Sequence, residues 1–185
     1  FANPSLYSLP LSKNGKIPEA ADAAVAIPLT GDFEVGDNVF GAFANGIVAT
    51  PDGKTLIVGN SGTSKIFRVD PATGYADEII VDPPLSEGFI DGIVMRDGIL
   101  YILTPYAPTP VDTIQVVLLS DDMLTGTLLG NITDDDMDGV ASGALHGDSL
   151  YVNNARYNTL GAGELTPETP FWITKLNIYD VDPVD

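Results

Sequence analysis

Apolar and polar positions along this chain alternate in short bursts, separated by turns rich in glycine and proline. Three of those bursts share one pattern. Asn45 opens NGIVATPDGKTLIVGN, Asp91 opens DGIVMRDGILYIL and Asp138 opens DGVASGALHGDSLYVNN. Each runs Asn or Asp, Gly, a short apolar stretch, a Gly-containing turn and a second apolar stretch. The openings lie 46 and 47 residues apart (91 − 45 and 138 − 91). Self-similarity with a period in the forties, built from strand-like segments, predicts a β-propeller with one four-stranded antiparallel sheet per repeat.

The first repeat shows the plan. Residues 46–50 read as the innermost strand and Pro51-Asp52-Gly53-Lys54 as a hairpin turn. A second strand follows over 55–59, a third over KIFRVD and an outer strand over ADEIIV, with turns at Ser61-Gly62-Thr63 and Pro71-Ala72-Thr73-Gly74. In the second repeat the strands fall near 92–95, 99–104, 112–119 and 127–133. Arg96-Asp97-Gly98 is its first turn, and a loop runs from Pro105 to Pro110. The third repeat has strands near 139–145, 149–153 and 171–178, and its long loop from Arg156 to Pro170 is placed to overhang one face. Phe171 and Trp172 in its third strand are expected to pack between sheets.

YSLPL and VAIPLTGD read as the outer strands of a preceding blade whose inner strands are absent. The expected organisation is therefore a single all-β propeller unit of about three and a half blades, the C-terminal half of a larger ring. It divides into residues 1–33, 45–82, 91–133 and 138–181, the last blade lacking one strand. The start at Phe1 reads as a processed or nicked product. An open arc exposes sheet faces and strand edges. The expected partner is accordingly an N-terminal fragment of the same precursor that completes the ring.

Composition narrows the function classes. The chain has 185 residues, 44% of them apolar, enough for an ordinary globular core. Its 26 Asp and Glu against 8 Lys and Arg give a net charge of −18, which argues against a nucleic-acid partner. The apolar runs are too short for a membrane helix. With no cysteine, disulfide frameworks, zinc thiolates and cysteine catalysis are excluded. Asn131-Ile132-Thr133 is a glycosylation sequon and points to a secreted protein.

The repeat also brings chemistry. It sets one oxygen-bearing side chain per blade, Asn45, Asp91 and Asp138, around an axis, and hard cations such as calcium and magnesium take amide and carboxylate oxygens. The competing reading is that Asn or Asp before Gly is only a turn residue. The run Asp134-Asp135-Asp136-Met137-Asp138-Gly139 has the opening of a calcium loop, but Leu145 stands where an EF-hand has Glu. Asp134 and Asp136 are thus either a peripheral calcium loop or part of a solvated acidic connector. His146 sits in a turn and is expected to be exposed. No Gly-x-Ser-x-Gly elbow or Gly-rich phosphate loop occurs.

The repeats resemble the superfamily of gluconolactonase and senescence marker protein, which includes paraoxonase and strictosidine synthase-like proteins. The residues that carry the likeness are Asn45-Gly46-Ile47, Thr50-Pro51-Asp52-Gly53-Lys54-Thr55-Leu56, Val69-Asp70-Pro71-Ala72-Thr73-Gly74 and Asp91-Gly92-Ile93. Val152-Asn153-Asn154-Ala155-Arg156-Tyr157 is similar to a subgroup of secreted fungal and bacterial proteins. The resemblance spans nearly the whole chain and implies a six-bladed propeller with a divalent cation, most often calcium, at the mouth of its tunnel. It implies Asn45 and Asp91 as ligands, with Asp91 doubling as general base in lactone or ester hydrolysis; other ligands would lie upstream of Phe1. The rival reading is a non-catalytic propeller that binds a small ligand or a protein.

Overall fold

The computed structural model describes residues 4–19, 24–34, 44–105 and 111–184. At the N-terminal end β1 (Ser5–Ser8) pairs antiparallel with β2 (Val25–Pro28), and the chain runs on into β3 (Thr30–Gly31). The first full sheet is the meander β4 (Ala44–Ala49), β5 (Leu56–Asn60), β6 (Lys65–Val69) and β7 (Tyr75–Glu78), with β3 lying parallel outside β7. The second sheet repeats this arrangement. β8 (Ile80–Asp82) lies parallel outside β12 (Thr125–Ile132), after β9 (Ile93–Arg96), β10 (Ile99–Thr104) and β11 (Thr113–Leu119). The third sheet holds β13 (Val140–His146), β14 (Ser149–Asn154) and β15 (Ile173–Asn177), and a short helix, α1 (Tyr157–Gly161), lies in the loop before β15.

Alternation along each strand stacks these sheets face to face. Ile57 and Ile66 of the first sheet meet Leu100, Ile102, Val117 and Leu128 of the second. The intervening residues of the second sheet, Tyr101, Leu103, Ile114 and Val116, point the other way, onto Val140, Leu150, Val152 and Leu176 of the third. Leu29 and Phe33 pack on Val58, Phe67 and Val69 behind the first sheet. The middle sheet is buried on both faces, which is why β10 reads as a nearly continuous apolar run rather than an alternating one. Antiparallel meanders stacked face to face in this way are the propeller arrangement.

Two expectations are corrected. The outer strand expected over ADEIIV is broken at Ile79, which is 3% exposed and drops into the core between sheets. Its N–H donates to Ile66 O at 2.9 Å, whereas the next N–H, Ile80, donates to Leu124 O at 3.0 Å in the neighbouring sheet. The chain thus changes sheets after one buried anchor. Phe171 and Trp172 are not core residues: they are 59% and 37% exposed, and neither falls inside β15. The Trp172 ring lies under the Arg156 guanidinium, 5.3 Å from its centroid, and its indole N–H donates to Asp136 O at 2.9 Å. Most of the expected Pro105–Pro110 loop lies outside the described residues.

Candidate functional site

The innermost strands β4, β9 and β13 meet where their backbones run close. A Cβ added to Gly46 would strike Asp91 O, and one added to Gly92 would lie 2.6 Å from Ala141 O. Glycine at both positions permits the approach. Polar side chains then hold each incoming strand against the preceding sheet. Ser64 Oγ donates to Gly88 O at 2.6 Å and accepts from Gly88 N–H at 2.9 Å, while the Ser61 hydroxyl donates to Ile90 O. The buried Asp112 carboxylate likewise accepts the N–H groups of Gly139 and Val140, the latter at 3.1 Å.

The ladders define which residues are equivalent. Ile47 stands opposite Val58, Ile93 opposite Ile102 and Gly143 opposite Val152, each two residues past the same point of its inner strand. Asn45 and Asp91 are therefore equivalent. The Tyr157 hydroxyl donates to the Asp91 carboxylate at 2.7 Å, and the Asn45 amide lies near enough to lower its pKa. Burial pushes the Asp91 pKa up from its ordinary value, and these two neutral donors pull it back only in part.

The third equivalent position is Ala141, not Asp138. Asp138 stands three residues earlier and is engaged differently: its carboxylate pairs with Arg156 Nε at 3.1 Å, and its N–H donates to Asn154 Oδ1 at 2.8 Å. Arg156 also donates to Pro170 O at 3.3 Å and adopts a left-handed φ of 55°, which starts α1 and delivers the adjacent Tyr157 to Asp91. Tyr157 was not singled out from the sequence. It lies 66 residues from Asp91, and the signals that could have found it are its place in a long loop after an inner hairpin and at the end of the Val152–Tyr157 stretch.

The remaining candidates lie apart. Asp134 and Asp136 are exposed, and Asp134 Oδ1 accepts the Asp136 N–H at 2.8 Å, the bond of a local turn. Among the described residues no three His, Asp or Glu side chains gather in one cluster. Asn131 is inside β12, its backbone paired with Asp182 and its Oδ1 buried, rather than in an exposed loop. His146 ends β13 and is exposed.

No family model matches the sequence, and no curated protein matches it. Solved structures do. Luciferin-regenerating enzyme superimposes with a TM-score of 0.55 at 19% identity, over 97% of this chain and 53% of that one. The PQQ-bound aldose sugar dehydrogenase of Streptomyces coelicolor matches with a TM-score of 0.48 at 20% identity, over 64% of this chain and 39% of that one. The fold is of the propeller type, and the chain spans about half the length of luciferin-regenerating enzyme.

Proposed function

We propose that Asn45 and Asp91 form one arc of a divalent-cation site at the mouth of the propeller's central tunnel, and that the site serves lactone or ester hydrolysis. The observation that carries this reading is the state of Asp91. It is a partly buried carboxylate whose pKa is raised, and the Tyr157 hydroxyl bonded to it is neutral. A buried carboxylate gains most from a cation, and oxygen donors of the amide and carboxylate kind fit calcium or magnesium. Donor chemistry and adjacency fit such an ion. Residues outside this arc would complete its shell.

The roles of the chain's own groups follow from their geometry. Asn45 and Asp91 offer an amide and a carboxylate oxygen from equivalent points of adjacent inner strands. Tyr157 donates to one carboxylate oxygen of Asp91 and so orients that side chain. A divalent cation held there supplies polarisation of a carbonyl oxygen. Asp91, with its pKa raised, is the better proton acceptor at the site and takes the proton of an attacking water. A secreted protein would meet calcium at concentrations that suit a site of modest affinity.

Calorimetric titration with calcium chloride tests the site, and lactone hydrolysis with and without chelator tests the activity. Calcium binding lost in D91N, with hydrolysis lost on chelation and restored by calcium, is the expected result. Calcium binding without hydrolysis leaves a ligand-binding propeller. Absence of calcium binding by the wild-type protein removes the proposal.

A further inference from the structure

Residues 156–170 leave the third sheet after β14 and return to it before β15. None of them is buried, those of α1 included. From 158 to 169 the hydrogen bonds stay inside the loop. Ala162 N–H donates to Asn158 O, Glu164 N–H to Thr159 O and Thr169 N–H to Thr166 O. Among the described residues this stretch makes no hydrogen bond to a strand. With neither core contacts nor ladder bonds of its own, the loop takes its position from its base.

Arg156 ties that base together. Its Nε donates to Asp138 Oδ2 at 3.1 Å, its Nη1 donates to Pro170 O at 3.3 Å, and its guanidinium lies over the Trp172 ring, 5.3 Å from the centroid. The first contact joins the start of the loop to the entrance of β13; the other two join its start to its end. Each partner is itself fixed. Asp138 N–H donates to Asn154 Oδ1 at 2.8 Å, and the next two N–H groups go to the buried Asp112 carboxylate. The Trp172 indole N–H donates to Asp136 O, which also accepts from the Thr174 hydroxyl at 3.0 Å. Thr174 Oγ1 in turn accepts from Asn154 Nδ2 at 2.9 Å. Asn154, Asp112 and Thr174 are all buried, so the guanidinium is seated on a satisfied polar network that links β13, β14 and β15.

The backbone leads from this seat to the second sheet. Arg156 N–H donates to Asp138 O at 2.9 Å and Ala155 N–H to Gly139 O at 2.8 Å, which holds the chain on β13 as far as Arg156. The next residue, Tyr157, reaches Asp91. A left-handed φ of 55° is strained for a residue with a Cβ and persists where the surroundings over-determine it. We propose that the Arg156 side chain is a positioning residue for Asp91: by clamping the base of the loop it holds the Tyr157 hydroxyl on the Asp91 carboxylate. Asp138 supports Arg156 as one of three contacts, so its loss alone has the smaller effect. The proposal rests on the reading of Asp91 as a cation ligand for its effect on calcium, and on these contacts alone for the placement of Tyr157. Partners that orient a ligand from outside the first ring of contacts commonly set metal affinity by about tenfold or more.

Asn tolerates a left-handed φ and carries no guanidinium, so R156N removes the clamp while sparing the backbone. The Cζ carbon-13 resonance of Tyr157 at constant pH reports the hydrogen bond of its hydroxyl, and Y157F identifies it among the seven tyrosines. R156N should move that resonance in the direction that D91A moves it, and R156K should restore part of the shift. Calorimetric titration should show calcium binding about tenfold weaker in R156N, with R156N/Y157F no weaker than Y157F alone. W172L removes only the ring beneath the guanidinium and should move the same resonance part of the way, which keeps the test open if R156N unfolds. An unmoved resonance in R156N, or in W172L where R156N unfolds, overturns the proposal. Additive losses of calcium affinity in the double variant overturn it as well, since Arg156 would then act otherwise than through Tyr157. If the wild type binds no calcium the cation reading fails, and the Tyr157 resonance still decides whether Arg156 places that side chain.

Discussion

The Tyr157 hydroxyl lies 2.7 Å from Asp91 Oδ2, joining the loop after β14 to the entrance of β9. The contact crosses from the third sheet to the second at the inner edge, where the strands themselves are held apart by little more than glycine backbone. It makes the 156–170 loop part of the candidate site rather than an ornament on its rim. It also offsets part of the electrostatic cost of burying Asp91.

That cost has a pH signature. The Asp91 pKa is raised in the folded protein, chiefly by burial. Folding therefore favours the protonated form, and the associated stability is fully present below the unfolded value, about 3.9. It is lost as pH rises through the folded value, and above that the ionised carboxylate carries a constant penalty. Urea denaturation from pH 3 to pH 7 should show D91N gaining on the wild type as pH rises and then levelling off. Calcium should narrow the gap at pH 7 by stabilising the wild type only. A gap that is flat with pH would show that Asp91 does not titrate as proposed.

Removing only the hydroxyl separates the loop's contribution from that of burial. Y157F should cost about 1 kcal/mol, the usual net worth of a side-chain hydrogen bond, and more at pH 7 than at pH 3 because the bond favours the ionised acceptor. The Asp91 pKa should rise further, since this bond is one of the two that lower it. Carbon-13 chemical shifts of the Asp91 carboxyl across a pH titration would read both effects.

Asp138 and Asp91 should behave differently toward calcium. D91N and N45A each remove an oxygen donor or its charge from the proposed arc, and each should weaken calcium binding by about tenfold or more. D138N should leave calcium affinity within about twofold, because Asp138 is bound to Arg156 and lies three residues from the equivalent position. Its effect should appear instead as faster amide exchange in the 156–170 loop. Equal loss of calcium binding in D138N and D91N would return Asp138 to the site.

The sheets were legible because their signal is local. Alternation and turn chemistry locate strands such as 99–104 and 149–154 within a residue or so of their observed positions. The equivalence of Asn45 and Asp91 was legible as well, since both begin an Asn/Asp-Gly step. Asp138 misled because it begins the same step at nearly the same spacing. Counting back from the hairpin turn gives the right answer: Asp91 stands six residues before Asp97, and six before Gly147 is Ala141. The β-bulge between Val140 and Gly143 sits within that count. Tyr157 and the exposed Trp172 depend on how a 15-residue loop folds back (156–170), and no periodic signal in the sequence encodes that.

Glycine at the inner strands gives the last prediction, with a control built into the same sheet. Gly98 has φ of 79° at the β9–β10 turn and open space where a Cβ would stand. G98A should therefore cost about 1 to 2 kcal/mol through backbone strain alone and leave calcium affinity unchanged. Gly92 is different: its added Cβ would lie 2.6 Å from Ala141 O and 3.1 Å from Ser142 Cα, both backbone atoms that yield only if β13 moves away from β9. G92A should cost about 1 to 3 kcal/mol, and it should also displace Asp91, the adjacent residue. Paired denaturation and calcium titration of the two variants would distinguish the effects. Stability should fall in both, and calcium affinity in G92A alone. An unchanged affinity in G92A would mean that the close approach of β9 and β13 supports the fold without setting the geometry of the site.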